Sequence, residues 1–168
     1  MQSTPEQWLP IPGYEGFYEV SNRGSVQSVD RVIVRDNGRI YRSQGRLVKQ
    51  KTTTGGYQTV CLSKHGNKRT ERVHRLVLLA FVGPCPDGMQ ACHRNDIPTD
   101  NRLVNLRWDS DSANKHDQVR NGNHRNARKT HCPQGHKYTP DNTYVFSSGR
   151  VCKACARARA RDSYARVT

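Results

Sequence analysis

Residues 132–155 read CPQGHKYTPDNTYVFSSGRVCKAC, and no other stretch of the chain leaves so few ways to fold. Cys132 and His136 stand with three residues between them, Cys152 and Cys155 with two, and fifteen residues separate the pairs. Each pair can bite one tetrahedral ion, and the intervening NTYVFSSGRVC reads as a hairpin that brings the pairs together. A segment this short and polar buries no core of its own, so Zn²⁺ would supply its folding free energy. Three sulfurs and one imidazole leave no open position, which makes the expected site structural. His131 is the spare ligand. The continuation KACARARARDSYARVT suits a short helix as well as a disordered arm, with Arg157 and Arg159 placed to meet phosphate.

Charge says what kind of partner such a chain would hold. Twenty-eight Lys and Arg against fourteen Asp and Glu give a net +14, more than solubility requires, and point to a polyanion, nucleic acid first. The excess is uneven. Residues 31–75 hold twelve basic against two acidic residues and residues 113–168 twelve against three, whereas residues 76–112 hold three against five. Two basic arms therefore flank a slightly acidic centre, as a site that keeps a divalent cation near phosphate would require. With 33% hydrophobic and 7% aromatic residues over 168 positions, the chain has material for one compact domain or two small ones. No run is long enough to span a membrane, and MQSTPEQWLP lacks the regions of a signal peptide, so an intracellular protein without membrane association is expected. In that compartment six cysteines suggest metal before disulfides.

The expected organisation is α+β in three parts: a β-rich DNA-binding segment over 1–72, a central unit over 73–122 with strand, loop, strand and helix over 89–122, and a basic linker with the zinc module and Arg-rich tail over 123–168. WLPIPGYEGFYEVSNRGSVQSVDR alternates turn signals with short apolar pieces and predicts short strands. Residues 31–72 predict two hairpins studded with basic residues, with Cys61 as a small packing residue inside a strand. Such a ribbon can lie in a DNA groove, and Arg23, Lys49, Lys51, Arg94 and Arg107 join the two tail arginines as expected DNA contacts. Val73, Leu76, Val77, Ala80 and Phe81 recur at helical spacing, with His74 beside the stripe as a structural histidine and GPCPDG as the stop. Asp109, Ser110 and Asp111 open a second helix that Gly122 ends.

In the centre, CHRNDIPTDNRLVNLRWDSDSAN places His93 at a strand end and Asn114 in the first turns of the next helix. A neutral imidazole there could take a proton from water, a divalent ion at Asn114 could bind the scissile phosphate, and the amide of Asn105 could tie down the loop. A second reading makes Cys85, Cys92, His93 and His116 another structural zinc site in a scaffold without activity.

VHRLVLLAFVG, CHRNDIPTDNRLVNLRWDSDSAN and WLPIPGYEGFYEVSNRGSVQS together resemble the HNH endonucleases of the ββα-metal type, in particular phage and group I intron homing enzymes. The opening segment resembles the modular DNA-binding motif that accompanies those nucleases. The resemblance covers about residues 6–31 and 73–122. It implies a central ββα-metal unit in which His93 is the general base, Asn105 the bracing asparagine and Asn114 the ligand of a catalytic Mg²⁺ or Mn²⁺. It implies hydrolysis of double-stranded DNA to 5′-phosphate and 3′-hydroxyl ends, as nicking by a monomer or double-strand cleavage by a homodimer, by a phage-encoded enzyme in the bacterial cytoplasm. Cys92 departs from the pattern: many relatives carry aspartate there as the other metal ligand, and a thiol suits hard Mg²⁺ poorly. Asp96, His116 or Asp117 could supply the missing ligand. The alternative is a zinc-containing DNA-binding protein with an inactive HNH core.

Overall fold

A computed structural model describes residues 5–35, 37–147 and 149–165. The chain divides into two compact units, residues 1–121 and 122–168. The architecture is α+β, as expected, and among the described residues no helix is long and apolar enough to cross a membrane.

In the first unit, strands β1 (Trp8–Pro10), β2 (Tyr18–Ser21) and β3 (Val26–Ser28) form an antiparallel sheet whose alternation buries Tyr18, Val20 and Val26. Strands β4 (Arg31–Val34) and β5 (Ile40–Ser43) pair as a hairpin in register Val32↔Arg42 and Ile33↔Tyr41, with Val32, Val34 and Ile40 exposed. Strands β6 (Lys51–Thr52), β7 (Gln58–Lys64) and β8 (Asn67–Arg72) make a second three-stranded sheet, turned between β7 and β8 by His65 and Gly66, both at positive φ. On β7 the period of two buries Val60 and Leu62 and turns Cys61 outward, so Cys61 is exposed instead of packing as its strand position suggested.

Helix α1 (Val73–Phe81) follows β8 without a break and buries Val73, Leu76, Val77 and Leu78. Val60, Leu62, Val73 and Val77 lie in one core with Ile11, Val20 and Leu106, so the β-rich segment and the central elements are packed as a single body. The helix stops where the Val82 and Gly83 amides both return to the Leu78 carbonyl and Gly83 takes φ +110°, ahead of Pro84. Strands β9 (Gln90–His93) and β10 (Leu106–Asp109) then pair in register His93↔Leu106 and Cys92↔Arg107. Helix α2 (Asp111–Arg120) is capped by Ser110, whose Oγ accepts from the Ala113 amide. In the second unit, β11 (Thr143–Phe146) and β12 (Gly149–Cys152) form the expected hairpin, and the tail is a helix, α3 (Lys153–Ala165).

Candidate active site

The two faces of the β9–β10 ribbon look at different things. Opposed residues share a face, so His93 and Leu106 point one way with Ala91 and Trp108, while Cys92 and Arg107 point the other. The first face closes on the core: Ala91, Leu106 and Trp108 pack there, and Trp108 Nε1 donates to the Gly83 carbonyl at 3.1 Å. The second face looks at α2, because Arg107 reaches across to Asp117. Asn114 lies one helical turn before Asp117 and therefore on the same side of α2.

His93 is 6% exposed, and its ring contacts specify its tautomer. Nε2 lies 3.2 Å from Asn101 Oδ1, and Asn101 in turn donates from Nδ2 to Gln58 Oε1 at 2.6 Å. With its NH₂ group committed to Gln58, Asn101 offers His93 an acceptor, so Nε2 carries the proton and Nδ1 keeps a lone pair. Burial pushes the His93 pKa below its ordinary value, against the opposing pull of the Asn101 hydrogen bond and the charges of Asp100 and Asp96. The ring is therefore a neutral base at neutral pH.

Two aromatic neighbours hold its plane. His74, 2% exposed, meets His93 edge to face with centroids 5.0 Å apart, and Tyr57 lies 5.3 Å from His74 and 6.1 Å from His93. Burial, followed by the charges of His93, Arg72 and Arg75, pushes the His74 pKa down to about 3, and its buried Nδ1 has no hydrogen-bond partner. The Arg72 guanidinium sits 4.8 Å from the Tyr57 ring centroid.

The loop between β9 and β10 is tied by Asn105. Its Nδ2 donates to Asn95 Oδ1 and to the Asp100 carbonyl, both at 2.9 Å, and its Oδ1 accepts from the Asn95 amide. Asn95 donates onward to Asp100 Oδ2, and Arg102 grips the same carboxylate through Nε and Nη2, holding its pKa down at about 2. At the other end of the loop, Asn121 donates to the Arg94 carbonyl and to Asp96 Oδ2. Asp96 takes φ +55°, a left-handed conformation that aspartate tolerates better than most residues.

On the α2 face the donors are sparse. Cys92 is buried, its thiol donates weakly to the Gln90 carbonyl, and burial together with the charges of Asp109, Asp111 and Asp96 outweighs Arg107 to push its pKa up. The sulfur is therefore a protonated thiol, a poor ligand for a hard cation. Asp117, 1% exposed, is committed to Arg107 and Arg120, Asp109 to Arg107, and Asp96 to Asn121. Asn114 is half-buried, and its backbone N–H donates to the Ser110 carbonyl within the helix. The protonated Cys92 and the pairing of Asp109, Asp111 and Asp117 with Arg107, Lys115 and Arg120 leave a face that fits a divalent cation held through the Asn114 side-chain amide oxygen, water and substrate phosphate. It does not fit an ion held by thiolate.

Arg107, expected at DNA, pairs with Asp109 and Asp117, and its side chain is 17% exposed. Arg23, Lys49, Lys51, Arg94, Arg157 and Arg159 are exposed. The alternative zinc set is not assembled: Cys85 hydrogen-bonds to the Pro86 and Met89 carbonyls, Cys92 and His93 face opposite ways, and His116 is exposed.

In the second unit, one ligand atom from each of Cys132, His136, Cys152 and Cys155 lies within 4.8 Å of the others, the one such cluster among the described residues. Cys132 Sγ is 3.6 Å from Cys155 Sγ, and His136 Nδ1 is 3.5 Å from Cys132 Sγ and 3.3 Å from Cys155 Sγ. Those separations suit a tetrahedron with bonds of roughly 2.0–2.3 Å. Gly135 at φ +78° closes the tight turn between Cys132 and His136. Asn142 braces the second pair, donating to Cys152 Sγ at 3.4 Å and accepting from the Ala154 amide. His131 hydrogen-bonds to Thr130 outside the cluster.

Sequence reasoning missed Asn101, Gln58 and Tyr57. Asn101 sits in the Asp-Asn-Arg turn, whose signal is a turn signal only, and nothing local connects it with Gln58, 43 residues earlier.

Residues 6–63 match the NUMOD4 motif, and residues 71–116 match the HNH endonuclease family. The chain is similar to the DNA endonuclease I-HmuI of Bacillus phage SP01, with 32% identity over 116 residues that cover 69% of this chain and 59% of that protein. An uncharacterized HNH endonuclease of Acanthamoeba polyphaga mimivirus is 27% identical over 141 residues, covering 84% of this chain and 37% of its own length. A solved structure titled "DNA binding and cleavage by the HNH homing endonuclease I-HmuI" superposes with a TM-score of 0.56 at 32% identity, covering 70% of this chain and 60% of that one. The chain thus spans about three-fifths of the first relative, and the two family matches fall in the motif order expected from the sequence.

Proposed function

We propose that this chain, with its NUMOD4 motif and HNH endonuclease segment, is a metal-dependent DNA endonuclease of the HNH homing type. The observation that carries the reading is the set tautomer of a buried, neutral His93 beside a loop locked by Asn105. In the proposed step, His93 Nδ1 takes a proton from a water molecule whose oxygen attacks phosphorus. The P–O3′ bond breaks, giving a 5′-phosphate and, after protonation from solvent, a 3′-hydroxyl. Asn101 holds the proton on Nε2 and so leaves Nδ1 as the accepting nitrogen, and Asn105 keeps the loop that carries Asn101 in place.

The amide oxygen of Asn114 would hold Mg²⁺ or Mn²⁺, with Cys92 a protonated bystander at the position where many relatives place an aspartate. Such an ion supplies charge neutralisation at the scissile phosphate and leaving oxygen. Zn²⁺ in the second unit, held by Cys132, His136, Cys152 and Cys155, is assigned a structural role. Exposed Arg23, Lys49, Lys51 and Arg94 are assigned to the phosphates of double-stranded DNA in the first unit, and Arg157 and Arg159 in the second. As a monomer the enzyme would nick, and as a homodimer it would cut both strands. A phage-encoded enzyme acting in the bacterial cytoplasm fits this chemistry.

Supercoiled plasmid with Mg²⁺ or Mn²⁺ tests the proposal. The wild type should convert it to the nicked form, and His93→Ala should slow conversion about 10²-fold or more. Equal behaviour of the two proteins would favour the inactive, zinc-containing DNA-binding protein, a reading supported by the missing carboxylate at Cys92. Cys92→Asp in the same assay should raise activity in Mg²⁺, because a carboxylate would join Asn114 on the α2 face.

A further inference from the structure

The hairpin of the second unit keeps its two aromatic side chains on the outside. Thr143, Val145, Arg150 and Cys152 share the face that carries the zinc ligand, while Tyr144 and Phe146 share the other with Val151 and Gly149. Tyr144 is 45% and Phe146 55% exposed, their centroids 6.2 Å apart and their planes inclined by 43°. Gly149, opposite Phe146, offers no side chain to cover that ring. Burying these rings in a core would be worth more than leaving them in water, so an exposed pair of rings on a small folded unit is a place to look for a partner.

The charge around the pair selects the partner. Residues 122–168 carry seven Arg and three Lys against two Asp. Lys153 Nζ lies 5.1 Å from the Tyr144 ring centroid, and Arg157 and Arg161 are exposed one turn apart on α3, which leaves directly from the hairpin. Aromatic rings set among cations are the combination that receives the bases and phosphates of a single strand. A paired base cannot serve, because its faces are covered by its neighbours in the stack. The rings also stand farther apart than the ~3.4 Å axial step between nucleotides of one strand in a duplex, so neighbouring bases reach both only when the strand is drawn out.

We propose that this hairpin is a binding surface for unpaired DNA, with Tyr144 and Phe146 each receiving a base and Lys153 and Arg161 receiving phosphates. The choice of DNA over RNA rests on reading the central site as a DNA nuclease. The surface would hold a strand that is already unpaired.

The test uses full-length His93→Ala protein loaded with one zinc per chain, so that binding is scored without cleavage. Fluorescence anisotropy with labelled oligo-dT, with the matching blunt duplex and with oligo-rU compares this parent with a version that also carries Tyr144→Ala and Phe146→Ala. Affinity for oligo-dT should fall about ten-fold or more while duplex affinity changes less than about two-fold. A version with Tyr144→Phe and Phe146→Tyr keeps both rings and should bind oligo-dT like the parent. Unchanged zinc content in all versions certifies that the unit is folded. Equal loss on single strand and duplex, or no loss, would overturn the proposal; so would sedimentation showing that the rings mediate self-association. Tighter parental binding of oligo-rU than oligo-dT would overturn the assignment to DNA. Failure of the nuclease reading would appear separately, in the plasmid assay.

Discussion

At the scale of single residues, two imidazoles in contact do different work because their surroundings differ. His93 has Asn101 on Nε2, which leaves its other nitrogen as a base, whereas His74 is enclosed with Nδ1 unpartnered and gains nothing by protonation in the fold. His74 is faced by His93, Tyr57, Arg72 and Arg75, none of which offers a negative charge. Its folded pKa of about 3 lies below the ordinary 6.5, so acid favours the unfolded chain, which takes up the proton first. The neutral ring is therefore accommodated at no protonation penalty above pH 6.5, and stability drains away as pH falls toward 3. By pH 5 the loss from this residue amounts to about 2 kcal/mol. His74→Phe should flatten that dependence: urea unfolding at pH 7.5 and pH 5 should show a smaller difference than in the wild type. Tryptophan fluorescence reads this unit alone, since Trp8 and Trp108 are the chain's two tryptophans. An undiminished pH difference in the variant would assign the acid sensitivity to other groups.

At the scale of elements, the first sheet and the candidate site are coupled through one glycine. Gly24, in the turn between β2 and β3, takes φ +86°, and a Cβ there would lie 2.7 Å from Asn101 Cβ. Gln50 Nε2 donates to the Gly24 carbonyl and the Leu103 amide donates to the Asn22 carbonyl, so neither strand turn nor loop can retreat freely. Gly24→Ala should cost about 1–3 kcal/mol from conformational strain alone and should also displace Asn101 from His93. A lowered urea midpoint together with slowed plasmid nicking is the expected pair; slowed nicking at an unchanged midpoint would mean that the close approach relaxes without strain. This coupling shows what was and was not legible. The α1 stripe, the β9 and β10 strands and the Ser110 cap are local patterns, and each was readable from spacing. The seating of Asn101 on Gly24 and Gln58 spans elements far apart in sequence, and the pairing of Arg107 with Asp117 depends on which face of β10 meets α2. Cys61 was misplaced for that reason: its strand position was visible, but the facing side was not.

For the whole molecule, the two compact units draw stability from different sources. Residues 1–121 bury an apolar core that unites both sheets with α1, while among the described residues of 122–168 the buried hydrophobics are Cys132 and Cys152, and α3 buries none of its side chains. The cluster of Cys132, His136, Cys152 and Cys155 was legible in advance because these residues come in two locally spaced pairs, each able to chelate before the hairpin is complete. A unit so built should follow its metal and not the rest of the chain. Zinc analysis should find one ion per chain. Removing it with a chelator should expose residues 122–165 to trypsin at Arg125, Arg128, Lys129 and the α3 arginines, and should reduce helical circular dichroism by the contribution of α3. The tryptophan-detected urea midpoint should stay where it was, since both tryptophans lie in the apolar unit. Cys152→Ser should reproduce the protease sensitivity without chelator, and DNA affinity of both preparations should show a shallower salt dependence if α3 contributes phosphate contacts as an ordered helix. A shift of the tryptophan transition on zinc removal would show instead that the apolar unit leans on the metal for its own stability.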